Sequence, residues 1–233
     1  MKIRMQAAVA ASTLACVSTA FAGLDGFYGD QAAFEDAALT SGKFLKGFID
    51  FENYVGPDII GAFGTLNEFG DFEVGGGTDD ILGPAGELLF PGGFGSDNIL
   101  FRTSGDGGFV AVTQAAGFPG VDSAAFGANT FVANLEMVFA DELKTAVGFD
   151  FLDVEGFSGP AQIEITDGLG NVDIIAIQAG SFAGYVDSDG IASINITGPE
   201  LKIVDNIQLW NIPGPGALAL FGLGGLVGRR RRG

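Results

Sequence analysis

From Phe44 onward, apolar runs too short for stable helices alternate with clusters of glycine and aspartate. That punctuation constrains the fold more than any other feature of the sequence. Glycine is costly inside helices and useful in turns, and phenylalanine favours strands. The chain has 39 glycines and 22 phenylalanines among its 233 residues. Strand-like runs are expected over residues 44–54, 68–74, 98–103, 108–113, 130–139, 146–154 and 201–210. In the run AVGFDFLDV, Val147, Phe149 and Phe151 share one face. The clearest hairpin spans residues 162–177, with Asp167-Gly168 and Gly170-Asn171 at its turn. A second hairpin is expected from Phe182–Val186 and Ile191–Thr197, turning at Asp187-Ser-Asp-Gly190. Residues 75–80 and 91–96 read as loops. About ten short strands so arranged predict an all-β fold, a β-sandwich or jelly roll.

One helix is expected before the strands. Asp30 can cap Gln31–Leu39, with Gly42 just past the end, and Phe34, Ala38 and Leu39 are its candidate core residues. The sequence shows no internal repeat and no linker ahead of Ile212.

The two ends differ from the middle. Residues 1–22, MKIRMQAAVAASTLACVSTAFA, run from a basic start (Lys2, Arg4) through a short apolar stretch to Ala20-Phe21-Ala22. That is the order of a secretory signal peptide, with small residues where signal peptidase reads. The apolar stretch is too short to span a bilayer. Cys16 has Thr13 three residues before it, where a lipoprotein signal wants leucine. At the other end, Ile212-Pro213-Gly214-Pro215 breaks the chain before an Ala/Leu/Gly-rich segment, and Arg229, Arg230, Arg231 and Arg232 follow. Basic residues stay on the cytoplasmic side, and the apolar run is shorter than a stable span. Such a tail suits a transient membrane anchor. The domain between, residues 23–211, is large enough for one core.

Charge narrows the partners. Six of the 11 basic residues lie in the end segments and none of the 29 acidic ones does. The middle domain therefore keeps five basic residues and a net charge of −24. A surface of that sign repels nucleic acid and anionic lipid. It suits solubility outside the cell or contact with divalent cations. The chain has no histidine, and its one cysteine is Cys16. Ser-His-Asp and Cys-His catalysis and His/Cys zinc sites are thereby excluded. Gly75-Gly-Gly77 lacks the lysine of a phosphate loop.

Carboxylate chemistry remains. Asp50 with Glu52, Asp71 with Glu73, and Asp150 with Asp153 are candidate pairs for glycoside hydrolysis. The first two pairs are spaced two residues apart and so face one side of a strand. Acidic positions on a solvent-facing strand account for the same pattern. Asp187-Ser-Asp189-Gly190 has the oxygen spacing of calcium loops but lacks the later glutamate of an EF-hand. Asp205 could add a ligand from another strand, so Asp187, Asp189 and Asp205 are the candidate Ca2+ ligands. A plain turn uses the same residues. Trp210, Tyr28, Tyr54 and Tyr185 are the aromatic side chains suited to stacking on sugar rings.

The tail resembles the PEP-CTERM sorting signals processed by exosortases in Gram-negative bacteria that make exopolysaccharide. Those signals run Val-Pro-Glu-Pro, an apolar segment, then arginines; here Gly214 stands where glutamate is usual. The middle domain resembles a group of domains found ahead of such tails, through Asp30-Gln-Ala-Ala-Phe34, Ile49-Asp-Phe-Glu52, Phe182-Ala-Gly-Tyr-Val-Asp-Ser-Asp189, Ile191-Ala-Ser-Ile194 and Val204-Asp-Asn-Ile207. The resemblance implies a lectin-like β-sandwich handled by signal peptidase and an exosortase and delivered to the cell surface or matrix. There extracellular polysaccharide is the expected partner, and a carboxylate glycosidase is the alternative.

Overall fold

The computed structural model describes residues 23–52, 54–55, 59–63, 65–66, 72–75, 99–103, 110–113, 121, 123–128, 133–139, 142–154, 159–198 and 201–213. One helix and fourteen strands lie among them, and every described strand pairing is antiparallel. The all-β expectation holds, with more strands than the ten expected. Short strands account for the excess. β1 (Leu24–Tyr28), β3 (Ile59–Phe63), β4 (Thr65–Leu66) and β8 (Ala125–Ala128) carry no clean apolar alternation in sequence.

β13 (Ser181–Thr197) organises the molecule. The expected hairpin at Asp187–Gly190 is instead a jog inside one 17-residue strand. The Asp187 carboxylate accepts the Asp189 N–H at 2.7 Å, and Gly190 takes a left-handed φ of 85°. These two local features turn the strand without folding it back. On one side of the jog, Ser181–Asp187 lies between β1 and β10 (Lys144–Phe151). On the other side, residues 191–197 lie between β11 (Pro160–Asp167) and β9 (Leu135–Phe139). The jog appears in the β10 register as a shift, with Val186 opposite Ala146 and Ile191 opposite Lys144.

All fourteen strands belong to one continuous sheet, which curls at that jog into two layers. The first runs β3, β7 (Val110–Thr113), β8, β14 (Ile203–Asn211), β10, the first half of β13, and β1, with β2 (Phe44–Ile49) beside β14. The second runs β12 (Val172–Gln178), β11, the second half of β13, β9, β6 (Ile99–Thr103), β5 (Phe72–Gly75) and β4. Between them lies one core. Val147, Phe149 and Phe151 of β10 and Ile207 and Leu209 of β14 join Ile163 and Ile165 of β11, Leu135 and Met137 of β9, and Phe101 of β6. The period-two pattern read in β10 therefore names core residues correctly.

α1 (Gln31–Thr40) covers the outer face of the first layer. The Asp30 carboxylate accepts the Ala33 N–H at 2.9 Å and caps the helix. Phe34 and Ala38 are fully buried, while Leu39 is 60% exposed and packs nowhere in the core. Gly148 and Gly184 stand opposite each other on β10 and β13 and form a floor for the Phe34 ring. A Cβ on Gly184 would sit 2.6 Å from Phe34 Cδ2, and one on Gly148 would sit 2.8 Å from Phe34 Cε1. Burying that ring contributes about 1.5–3 kcal/mol. Gln208 on β14 donates to Glu35 at 2.9 Å and accepts from the Trp210 indole at 3.2 Å, which ties the helix to the sheet.

Candidate functional site

The acidic residues singled out in the sequence divide into two groups. Asp187 and Asp189 lie together at the β13 jog. Asp205 lies on β14 opposite Asp150 of β10, whereas Val186, next to Asp187, lies opposite Ala146. Four residues of β10 separate those positions, roughly 13 Å at strand rise. Calcium binds its oxygens at 2.3–2.6 Å, so Asp187, Asp189 and Asp205 do not converge on one ion. Among the described residues, no group of three His, Cys, Asp or Glu side chains could hold a metal ion.

At the jog, Asp187 is 4% exposed. Burial raises its pKa, the Asp189 N–H counters that, and the charges of Asp167 and Asp189 add to the rise. Lys43, also buried, lies within electrostatic reach. Burial lowers its pKa, against the pull of Asp187 and Asp25. Gly23 comes alongside too, its α-carbon hydrogen directed at Ser188, Asp187 and Asp189. Nearby, the β11–β12 turn is built on Asp167, whose Oδ1 accepts from the Leu169 and Asn171 N–H groups at 2.8 Å. Although desolvation works against its charge, the bonds from Asn171, Leu169 and Gly170 leave the Asp167 carboxyl below the ordinary carboxylate range.

The second group collects on β14. The Ser123 hydroxyl donates to Asp205 Oδ2 at 2.5 Å, and the Asn206 N–H donates to Oδ1 at 2.7 Å. Asn206, at φ 50°, passes its amide to Asp150 Oδ2 at 2.8 Å. Glu52 follows Phe51, itself at φ 55°, and accepts the Ala124 N–H at 3.2 Å. Burial, then the charges of Glu52 and Asp150, push Asp205 up to about 6, against the lowering effect of Ser123 and Asn206. Sequence reasoning named every acid of this group but not their grouping, which depends on β10 and β14 being neighbours.

The paired acids fare differently. Asp50 Oδ1 accepts the Glu52 N–H at 3.2 Å, so that pair is spent partly on its own turn. Asp150 is half-buried under Asn206, and Asp153 is exposed. Asp71 lies outside the described residues, and so do the loops at 76–80 and 91–96. Pro213 is described. Gly214, Pro215, Arg229, Arg230, Arg231, Arg232 and residues 1–22 lie outside the described residues.

Of the four aromatic candidates, Trp210 and Tyr54 are 5% exposed and Tyr185 is fully buried. Tyr28 is 39% exposed. Its ring meets Tyr185 edge to face at 5.9 Å between centroids. It lines a cleft of about 300 Å3 with Pro160, Ala176, Ile177, Gln178 and Ser181. Those residues come from the end of β1, the start of β11, the end of β12 and the start of β13, where the two layers meet.

No family model matches the chain, and no curated protein matches it. Among solved structures it is similar to one described as an exo-beta-agarase, with 14% identity and a TM-score of 0.30 over 74% of this chain. The match spans 26% of that protein's length. A likeness that slight says nothing of activity.

Proposed function

We infer that this chain is an exported, non-catalytic β-sandwich, sorted by an exosortase to the cell surface or matrix, where it binds polysaccharide. The observation that carries the reading is the order of its parts. A secretory signal through Ala22 precedes the sandwich, and a breaker, an apolar segment and four arginines follow it. The fold supports those boundaries: β1 begins at Leu24 and β14 ends at Asn211, so cutting outside them spares every described strand. Binding is favoured over turnover because Asp50, Glu52 and Asp150, three of the candidate acids, accept hydrogen bonds from the chain's own Glu52 N–H, Ala124 N–H and Asn206 amide.

The test is fractionation of producing cells with and without their exosortase, followed by co-sedimentation of the released protein with the cells' own polysaccharide. The reading expects surface or medium protein that pellets with polysaccharide and releases no reducing ends. Without the exosortase, the protein should stay in the membrane fraction. Reducing ends released by the wild type and lost in Asp150→Asn would establish the glycosidase instead.

A further inference from the structure

We propose that the cleft beneath Tyr28 is the sugar-binding site, and that it takes a neutral hexose unit of a polysaccharide. This rests on the carbohydrate-binding reading and adds the place and the ligand class.

Three features of the cleft point to that occupant. First, Tyr28, 39% exposed, is one of the lining residues, and the C–H face of a pyranose packs against an aromatic ring as other apolar surfaces do. Pro160, Ala176 and Ile177 supply further apolar wall. Second, Gln178 and Ser181 are also among the lining residues. They offer donors and acceptors suited to sugar hydroxyls. A volume of about 300 Å3 is at the small end for ligand pockets, which fits a terminal or single ring and not a long chain segment. Third, none of the described residues that line the cleft is a lysine or arginine. The surrounding domain has a net charge of −24, so a uronic or sulfated sugar would meet repulsion without a counter-charge.

The ring's position is itself built in. Gly26, two residues before Tyr28, lies opposite Tyr185 in the β1–β13 pairing. A Cβ there would fall 2.7 Å from Tyr28 Oη. The Tyr28 ring therefore lies back over Gly26, and any side chain at 26 forces it to swing. Gly26 is a positioning residue for the platform.

The experiment is calorimetric titration of the protein recovered from the surface or medium of producing cells with cellotetraose, galactotetraose and tetragalacturonate. Binding of at least one neutral oligosaccharide is expected, with none of the uronate. Tyr28→Ala should weaken it about tenfold or more, the scale of one well-packed aromatic anchor. Tyr28→Phe should keep it. Gln178→Ala, at an exposed strand position, should weaken it several-fold without a change in melting temperature. Gly26→Ala should weaken it while leaving Tyr28 in the chain. If neutral sugar binds and all four variants bind as the wild type does, the cleft assignment falls and the carbohydrate reading stands. If only the uronate binds, the ligand class is wrong. If no neutral or acidic sugar binds, both inference and reading fall.

Discussion

Asp205→Asn should flatten the protein's stability between pH 4 and pH 6. In the folded chain Asp205 titrates at about 6, against an ordinary value of 3.8. The folded state therefore keeps a proton that the unfolded chain has already released. Stability from this group is fully present below pH 3.8 and is lost as pH rises through 6. The difference of about 2.2 units corresponds to at most about 3 kcal/mol at neutral pH. Asparagine cannot ionise, and its side-chain oxygen and nitrogen can still serve the Asn206 N–H and the Ser123 hydroxyl. In a domain of this size 1 kcal/mol moves the melting temperature by about 2–4 °C. The variant should therefore melt higher than the wild type at pH 7, by about 6–12 °C at the upper bound, and should converge with it near pH 4. Melts at matched ionic strength from pH 4 to 8 read this directly. Taking the difference between the two proteins cancels the repulsion among the other carboxylates. Parallel curves would refute the argument, because they would mean that Asp205 is ionised in the fold at no cost.

Phe34→Ala should cost about 3–5 kcal/mol by emptying the space over Gly148 and Gly184. Gly184→Ala should cost about 1–3 kcal/mol by overfilling it, and in a thermal double-mutant cycle the pair should be clearly non-additive. Tyr185→Phe should change stability by less than about 1 kcal/mol on denaturant titration, since the buried hydroxyl lies against Tyr28 without a well-formed hydrogen bond; a larger loss would show that it makes one. Millimolar calcium should shift the melting temperature no more than equal magnesium does, because Asp187 and Asp205 lie apart on the sheet; a calcium-specific rise abolished by Asp187→Asn would contradict that.

Much of the sandwich is legible in the sequence because burial in two layers writes a period of two. β10 shows it plainly, with Val147, Phe149 and Phe151 inward, and the Asp167–Asn171 turn announces β11 and β12. The helix is legible through its Asp30 cap. Less was legible at Asp187–Gly190, where turn residues that usually reverse a strand only displace it. A hairpin and a jog use the same aspartates and glycine, and the choice depends on which neighbours the flanking halves find. The Gly148–Gly184 floor could not be read either, since it exists only once β10 and β13 are paired. The same holds for the candidate site. Four aromatic side chains were equivalent in sequence; the main core takes Tyr54 and Tyr185, the helix covers Trp210, and Tyr28 stays partly exposed.

Intact-mass and terminal-sequence analysis of the protein recovered from the surface of producing cells tests the central claim most directly. The account predicts a polypeptide that begins at Gly23 and has lost Arg229 to Arg232 together with the apolar segment before them. A surface protein that keeps residues 1–22 or the four arginines would contradict it.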